Sequence, residues 1–340
     1  MSAAATTLSG PYRSRITAIG DYVPERRLTN EDLEKLVETN DEWIVQRTGI
    51  RERRICSPEE TTSTLCANAV QNLIDRYHPE LEDLDLILVC TTTPDFIFPS
   101  TACLVQHQLG LPKVTAMDLS AACAGFLYGL HLADGMIASG LHRKVLIIGA
   151  DALSKITDYT DRTTCILFGD GAGAVLLERD PDDTGEPSLI AYSGGSDGGG
   201  GIHLYQTHTA AAMNGIPVKD TRTIVQNGRE VYKFAVQTVP AGTEALLQKA
   251  GLRTSDVDWF IPHSANLRII ESVCERTGIP MERTLHTIQW FGNTSAATIP
   301  LALDMGVKQG NFRDGQLILM YGFGGGLVHG GQLLRWKALG

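Results

Sequence analysis

The chain has 340 residues, a formal net charge of −10 and 20% charged side chains. That length exceeds the roughly 100–200 residues of one domain, so two units and a large core are possible. No apolar run reaches the ~18 residues of a helix that crosses a bilayer, so a membrane protein is not expected, and the acidic balance argues against nucleic-acid binding.

The first 15 residues, MSAAATTLSGPYRSR, lack the apolar stretch of a secretory signal. Their Ala/Ser/Thr bias is that of some transit peptides, but a flexible tail is expected. The segment QRTGIRERR carries Arg47, Arg51, Arg53 and Arg54 against Glu52. It reads either as a solvated charged face or as a landing site for a phosphorylated or acidic partner. DLDLILVC (Asp83–Cys90) predicts a strand, followed by a helical segment and LGLP. Then SAACAG (Ser120–Gly125) sets Cys123 among residues with almost no side chain, at a strand-to-helix junction. Free cysteine is among the most buried residue types, so a tight packing point is one reading. The other is a nucleophile with room left for something large to approach. A helix ending at Gly140, the strand KVLIIG and the stretch LFGDGAGAVLLE complete the first series.

DPDDTGEPS interrupts the pattern with turn residues, and Gly194–Arg222 opens Gly-rich, as a surface loop or a lid. The series then repeats: DVDWFIPH (Asp256–His263), a helical segment, TGIP, FGNTSAA, a helix ending at Gly310, the strand QLILMYG, and GFGGGLVHGGQLL. Cys123 to Gly140 and Asn293 to Gly310 are both 17 positions, which aligns Cys123 with Asn293. Each half predicts an α/β layer unit, and the two predict a duplication about a pseudo-twofold axis. The expected division is a tail over 1–15, a half over 16–185 carrying the cysteine, and a half over 186–340 carrying a histidine and an asparagine.

A twofold arrangement turns the Cys123 and Asn293 turns toward each other. His263, matching Cys90 at a strand end, falls where α/β folds hold ligands. A helix N-terminus and a neighbouring histidine lower a thiol pKa from ~8.5 toward neutrality, so a thiolate is expected. The glycines of GFGGG can present backbone N–H groups to an oxyanion. Neither GDGAG nor GFGGG continues into a phosphate-binding signature. The seven cysteines are odd in number, scattered and never spaced C-x-x-C, and the nine histidines show no ligand spacing. No disulfide framework and no metal are expected, and a reducing compartment is. Cys, His and Asn in that chain order also occur in papain-like peptidases, but the C-G-[SA]-C-[WY] signature is missing.

SAACAG, PHSAN, GNTSAA, FGDGAG and GFGGG, in this order and with TNDEWIVQRTGIRERR ahead of them, closely resemble β-ketoacyl-[acyl-carrier-protein] synthase III of the thiolase superfamily, over about Ile16 to Trp336. The resemblance implies a thiolase-like, duplicated, five-layered αβαβα fold and a cytoplasmic homodimer that needs no cofactor. It implies condensation of an acyl-CoA primer with malonyl-acyl-carrier-protein, initiating type II fatty-acid synthesis. A related condensing enzyme of secondary metabolism or cofactor synthesis is the alternative, and a Cys-His-Asn hydrolase a remote one. Carried over by position, Cys123 is the acylated nucleophile, His263 and Asn293 polarise the malonyl thioester, and the N–H groups of Cys123 and Gly325 form the oxyanion hole. Trp43 and Arg47 sandwich the CoA adenine, Arg162 lies near its phosphates and Asn266 meets the pantetheine arm. Arg268 meets the carrier protein, and Phe98 reaches the partner's acyl pocket. Ser264 and His329 depart from common family residues beside the site, which leaves acyl preference open.

Overall fold

The computed structural model describes residues 10–181 and 187–339. Residues 1–9 of the expected tail and the expected boundary at 185/186 lie outside them. Ser14 and Arg15, placed in the expected tail, belong to the first strand.

Five strands, β1 (Ser14–Tyr22), β2 (Leu86–Cys90), β3 (Thr115–Leu119), β4 (Lys144–Ala152) and β5 (Asp170–Arg179), form one sheet in the order β1-β5-β4-β2-β3. β2 runs parallel to β3 and β4, while β5 is antiparallel to β1 and β4. Every residue of β2 is buried, the mark of a strand covered on both faces. A second sheet holds β6 (Leu189–Ser196), β7 (Trp259–Pro262), β8 (Leu317–Gly324) and β9 (Val328–Arg335) in the order β7-β8-β9-β6. Strand for strand this repeats the first sheet, and an isolated parallel bridge between Phe260 and Thr284 stands where β3 has its place.

The helices of eight or more described residues are α1 (Asp41–Thr48), α2 (Thr62–Tyr77), α3 (Thr101–Gln108), α4 (Gly125–Ala138), α5 (Gly228–Lys249), α6 (Leu267–Thr277) and α7 (Thr298–Lys308). α2 and α3 cover the outer face of the first sheet, and α5, paired with α6, covers that of the second. α4 and α7 touch both sheets and form the middle of five layers. Phe126, Leu127, Leu130, Ala133 and Ile137 of α4 are all fully buried, as a helix between two sheets requires. Burying each large apolar side chain there stabilises the fold by about 1.5–3 kcal/mol.

Both central helices start from a short 3₁₀ turn, Ala122–Ala124 before α4 and Ser295–Ala297 before α7. Ala122 (φ 45°) and Ser295 (φ 52°) open these turns in the same left-handed conformation. The counterpart of Cys123 is therefore Ala296, and that of Asn293 is Ser120. The equal spacing to Gly140 and Gly310 misaligned them because α7 has 11 residues against 14 in α4. Matching glycines let the strands approach: a Cβ on Gly149 would lie 2.4 Å from Ala296 O, and one on Gly322 would lie 3.1 Å from Cys123 O.

Candidate active site

Cys123 is buried at the floor of a cavity of about 970 Å³. The cavity is lined by residues of both halves, among them Trp43, Arg47, His263, Asn266, Arg268, Asn293, Phe323 and Gly325. The sequence-predicted nucleophile, imidazole and amide thus share one chamber although they stand far apart in the chain.

His263 follows β7 directly, its N–H bonded 2.8 Å to Tyr321 O in β8, so the sheet fixes where the ring begins. The ring is buried, with Nδ1 2.7 Å from Thr298 Oγ1 and the Phe323 ring edge-on at 5.2 Å. Burial holds its pKa down to about 3, so the imidazole is neutral. Burial also pushes the Cys123 thiol up to about 12, against the opposing influence of the Ser295 side chain. Burial thus works against the thiolate expected from the sequence. The Asp151 carboxylate acts in the same direction as burial.

Asn293 is gripped by the other half of the chain. Its N–H donates to Leu167 O at 2.9 Å and its carbonyl accepts from Gly169 N at 3.0 Å, a parallel bridge at Phe168. Its side-chain Oδ1 accepts from Ser295 N at 2.9 Å. With the oxygen taken, the amide nitrogen is the end left to the cavity, and it is a donor.

The glycine pressed against the nucleophile is Gly324, where an added Cβ would lie 2.9 Å from Cys123 N and 3.1 Å from its Sγ. Gly325 lines the cavity one residue on, and a Cβ there would meet Leu204 O at 3.0 Å. Leu204, Tyr205 and Gln206 also line the cavity, so the segment after the Gly-rich run contributes to its wall.

Arg47, of the cavity lining, and Arg162, outside it, have guanidinium carbons 5.5 and 5.3 Å from the ring centre of Trp43, which also lines the cavity. Both cations therefore flank one indole, and the geometry does not divide them into an adenine partner and a phosphate partner. Asn266 caps α6, accepting from Arg268 N at 2.9 Å and donating to Arg47 O at 3.1 Å, which leaves one amide hydrogen for a ligand. Arg268 is exposed at the same rim, its Nε bonded 2.9 Å to Gln46 O. Of the four arginines in the basic segment, Arg53 is fully buried, bonded to Ile166 O and Asn30 Oδ1, and is no landing site.

Of the residues singled out in the sequence, Arg162, Phe98, Ser264 and His329 do not line this chain's cavity; Phe98 is the one expected to reach a partner's instead. Phe98 is 84% exposed and lines no part of its own chain's chamber. Ser264 is buried outside it, its Oγ accepting from Thr287 N at 3.1 Å. His329 points behind β8, with Nδ1 2.9 Å from the Tyr321 hydroxyl. β-Alternation explains the last case, since Val328 lines the cavity and its neighbour must face away. Ser295, Thr298, Phe323 and Gly324 are site residues that the sequence reading did not single out; Ser295 and Thr298 lie in or beside the GNTSAA motif, which was the available signal. Among the described residues, no cluster of three His, Cys, Asp or Glu could hold a metal, and no helix is long and apolar enough to cross a membrane.

The family models for 3-oxoacyl-[acyl-carrier-protein (ACP)] synthase III match residues 117–198, and for its C-terminal part residues 247–336. A β-ketoacyl-[acyl-carrier-protein] synthase III of Halalkalibacterium halodurans is 60% identical over 324 residues, covering 95% of this chain and 97% of that one. Its Bacillus subtilis relative of the same name is 55% identical, covering 95% and 99%. The crystal structure of the Thermus thermophilus synthase III superposes with a TM-score of 0.90 at 44% identity, covering 95% of this chain and 99% of that one.

Proposed function

The chain belongs to the 3-oxoacyl-[acyl-carrier-protein] synthase III family, and on that premise we propose how its residues divide the reaction. The enzyme is an acyltransferase that condenses an acyl-CoA primer with malonyl-acyl-carrier-protein, the initiating step of type II fatty-acid synthesis. The hydrolase and specialised-metabolism readings are not favoured by relatives this similar.

In the first half-reaction the Cys123 sulfur bonds to the acyl carbonyl carbon and the bond to the CoA sulfur breaks. The thiol proton passes to the departing sulfur, while the N–H groups of Cys123 and Gly325 hold the oxyanion. In the second, malonyl-carrier loses carbon dioxide and the freed electron pair forms an enolate. Its oxygen sits between His263 Nε2 and the Asn293 amide. The enolate carbon attacks the acyl-cysteine, and Cys123 leaves as a thiolate that takes a proton from water. No cofactor takes part. The observation that carries this division is the fixed amide: Ser295 N–H binds Asn293 Oδ1, which leaves Nδ2–H as the donor end in a cavity that Cys123 also lines.

Trp43, Arg47 and Arg162 would hold the CoA nucleotide, Asn266 its pantetheine and Arg268 the acidic carrier. The exposed run Phe96, Ile97 and Phe98, at 58, 69 and 84%, is the patch we assign to a second copy, Phe98 meeting the partner's acyl chamber. The chain divides near 185/186 into a half with the nucleophile and a half with its two donors, and unbridged cysteines suit the cytoplasm.

The test compares Asn293→Ala and His263→Ala with the parent, reading acyl mass on the protein and carbon dioxide release from labelled malonyl-carrier. Both variants should still acylate and should lose decarboxylation by ~10²–10³. Loss of acylation with decarboxylation spared would reverse the roles.

A further inference from the structure

An enolate oxygen needs a donor, so His263 serves the second half-reaction only if its single proton sits on Nε2. What decides the tautomer is the bond made by the other ring nitrogen. Nδ1 lies 2.7 Å from Thr298 Oγ1, and that hydroxyl lies 2.9 Å from a second acceptor, Ser295 O. Ring and hydroxyl are both buried, at 1% and 0% exposure, so water does not arbitrate.

The Thr298 hydroxyl has one proton for two acceptors. Ser295 O already receives the backbone N–H of Thr298 at the start of α7, and a carbonyl served by one donor loses little without a second. Nδ1 has no other partner among the described residues; the reverse chain, with Nδ1–H donating to Oγ1 and the hydroxyl to Ser295 O, also satisfies it but leaves Nε2 without a proton, so the donor role given to His263 requires the hydroxyl to donate to Nδ1.

We propose that Thr298 is a positioning residue that donates its hydroxyl proton to His263 Nδ1 and so holds the imidazole in the tautomer with Nε2–H directed into the cavity. The proposal rests on the donor role given to His263 above. The same turn then orients both donors: its Ser295 N–H turns the Asn293 amide and its Thr298 hydroxyl sets the imidazole.

The test uses Thr298→Val, which keeps the shape and removes the hydroxyl, beside Thr298→Ser, which restores it. For the valine variant the turnover of malonyl-carrier decarboxylation should fall roughly tenfold, the consequence of one buried hydrogen bond, with KM for malonyl-carrier little changed. Acylation of Cys123, read by intact mass, should persist and certifies the fold. In the full-length enzyme labelled with ¹⁵N-histidine, the His263 Nδ1 resonance should lose its hydrogen-bond-acceptor character in the valine variant and regain it in the serine variant, together with turnover. Parent-like decarboxylation in Thr298→Val, or an unchanged His263 spectrum, overturns the proposal. If His263→Ala itself decarboxylates normally, the donor role fails instead, and the two failures are told apart by that variant.

Discussion

At the turn before α4, the residue that β8 sets against the backbone is Gly324; at the matching turn before α7, the residue that β4 sets there is Asp151. A Cβ on Gly324 would crowd Cys123 N, whereas Asp151 Oδ2 accepts a hydrogen bond from Ala296 N at 3.2 Å. Asp151 is fully buried, and its Oδ1 also accepts from Thr92 N at 2.7 Å and Thr93 N at 3.1 Å. The silent turn thus keeps a protein carboxylate on the N–H group whose counterpart we assign to the substrate oxyanion. One turn has a carboxylate in that place, and the other a glycine.

The largest effect should come from making the active turn resemble the silent one. Gly324→Asp puts a carboxylate beside the Cys123 N–H, and acyl-enzyme formation should fall by at least the ~10² that a lost oxyanion donor costs. Gly324→Ala already forces the neighbouring backbone to move and should slow acylation less. Rapid-quench measurement of acyl transfer reads both, and a Gly324→Asp enzyme that acylates at the parent rate breaks the comparison.

The converse change acts on stability. Asp151→Asn presents an amide NH₂ to a nest of donors, and the loss of charge-assisted bonds should cost about 2–3 kcal/mol in urea unfolding. Acylation should be affected far less than in Gly324→Asp. An unchanged midpoint would mean that the carboxylate is not what holds the silent turn.

A smaller, pH-dependent effect separates the two central helices. Asp304 of α7 is buried against Arg76 at 2.6 Å and Lys308 at 2.9 Å, while Asp134 of α4 has the Ser14 hydroxyl at 2.6 Å. Burial raises the Asp134 pKa from 3.8 to about 6. Because the folded state prefers the protonated form, its contribution is complete below about pH 4 and is lost as pH rises through about 6. Asp134→Asn should therefore be more stable than the parent at pH 7, by about 1–3 kcal/mol, and no more stable at pH 4. Equal differences at both pH values would show that the carboxyl does not titrate between them.

The sequence order of strands, helices and glycine turns was enough to predict two similar halves, because buried β-branched runs and helix-ending glycines are local signals. Cys123, His263 and Asn293 were also legible, each standing in a motif at a strand or helix end. The alignment of Cys123 with Asn293 failed because a helix can lose most of a turn without altering its apolar stripe, so distance to the terminal glycine is not a register. Thr298, and the close approach of Gly324 of the GFGGG motif to Cys123, were missed for another reason. Their roles depend on what lies across the chamber, which no local pattern encodes. Ser264 and His329 were drawn into the site by proximity in sequence, and the alternation of β9 turned His329 away.

The unlike partners of the two turns also bear on ancestry. In a symmetric pair of identical half-chains, one genetic position would supply both Gly324 and Asp151, and another both Cys123 and Ala296. Any mutation opening one turn would have opened the other, and any carboxylate bracing one would have blocked both. Joining the halves into a single gene released each copy from its twin, so that one could diverge toward reactivity while the other diverged toward support.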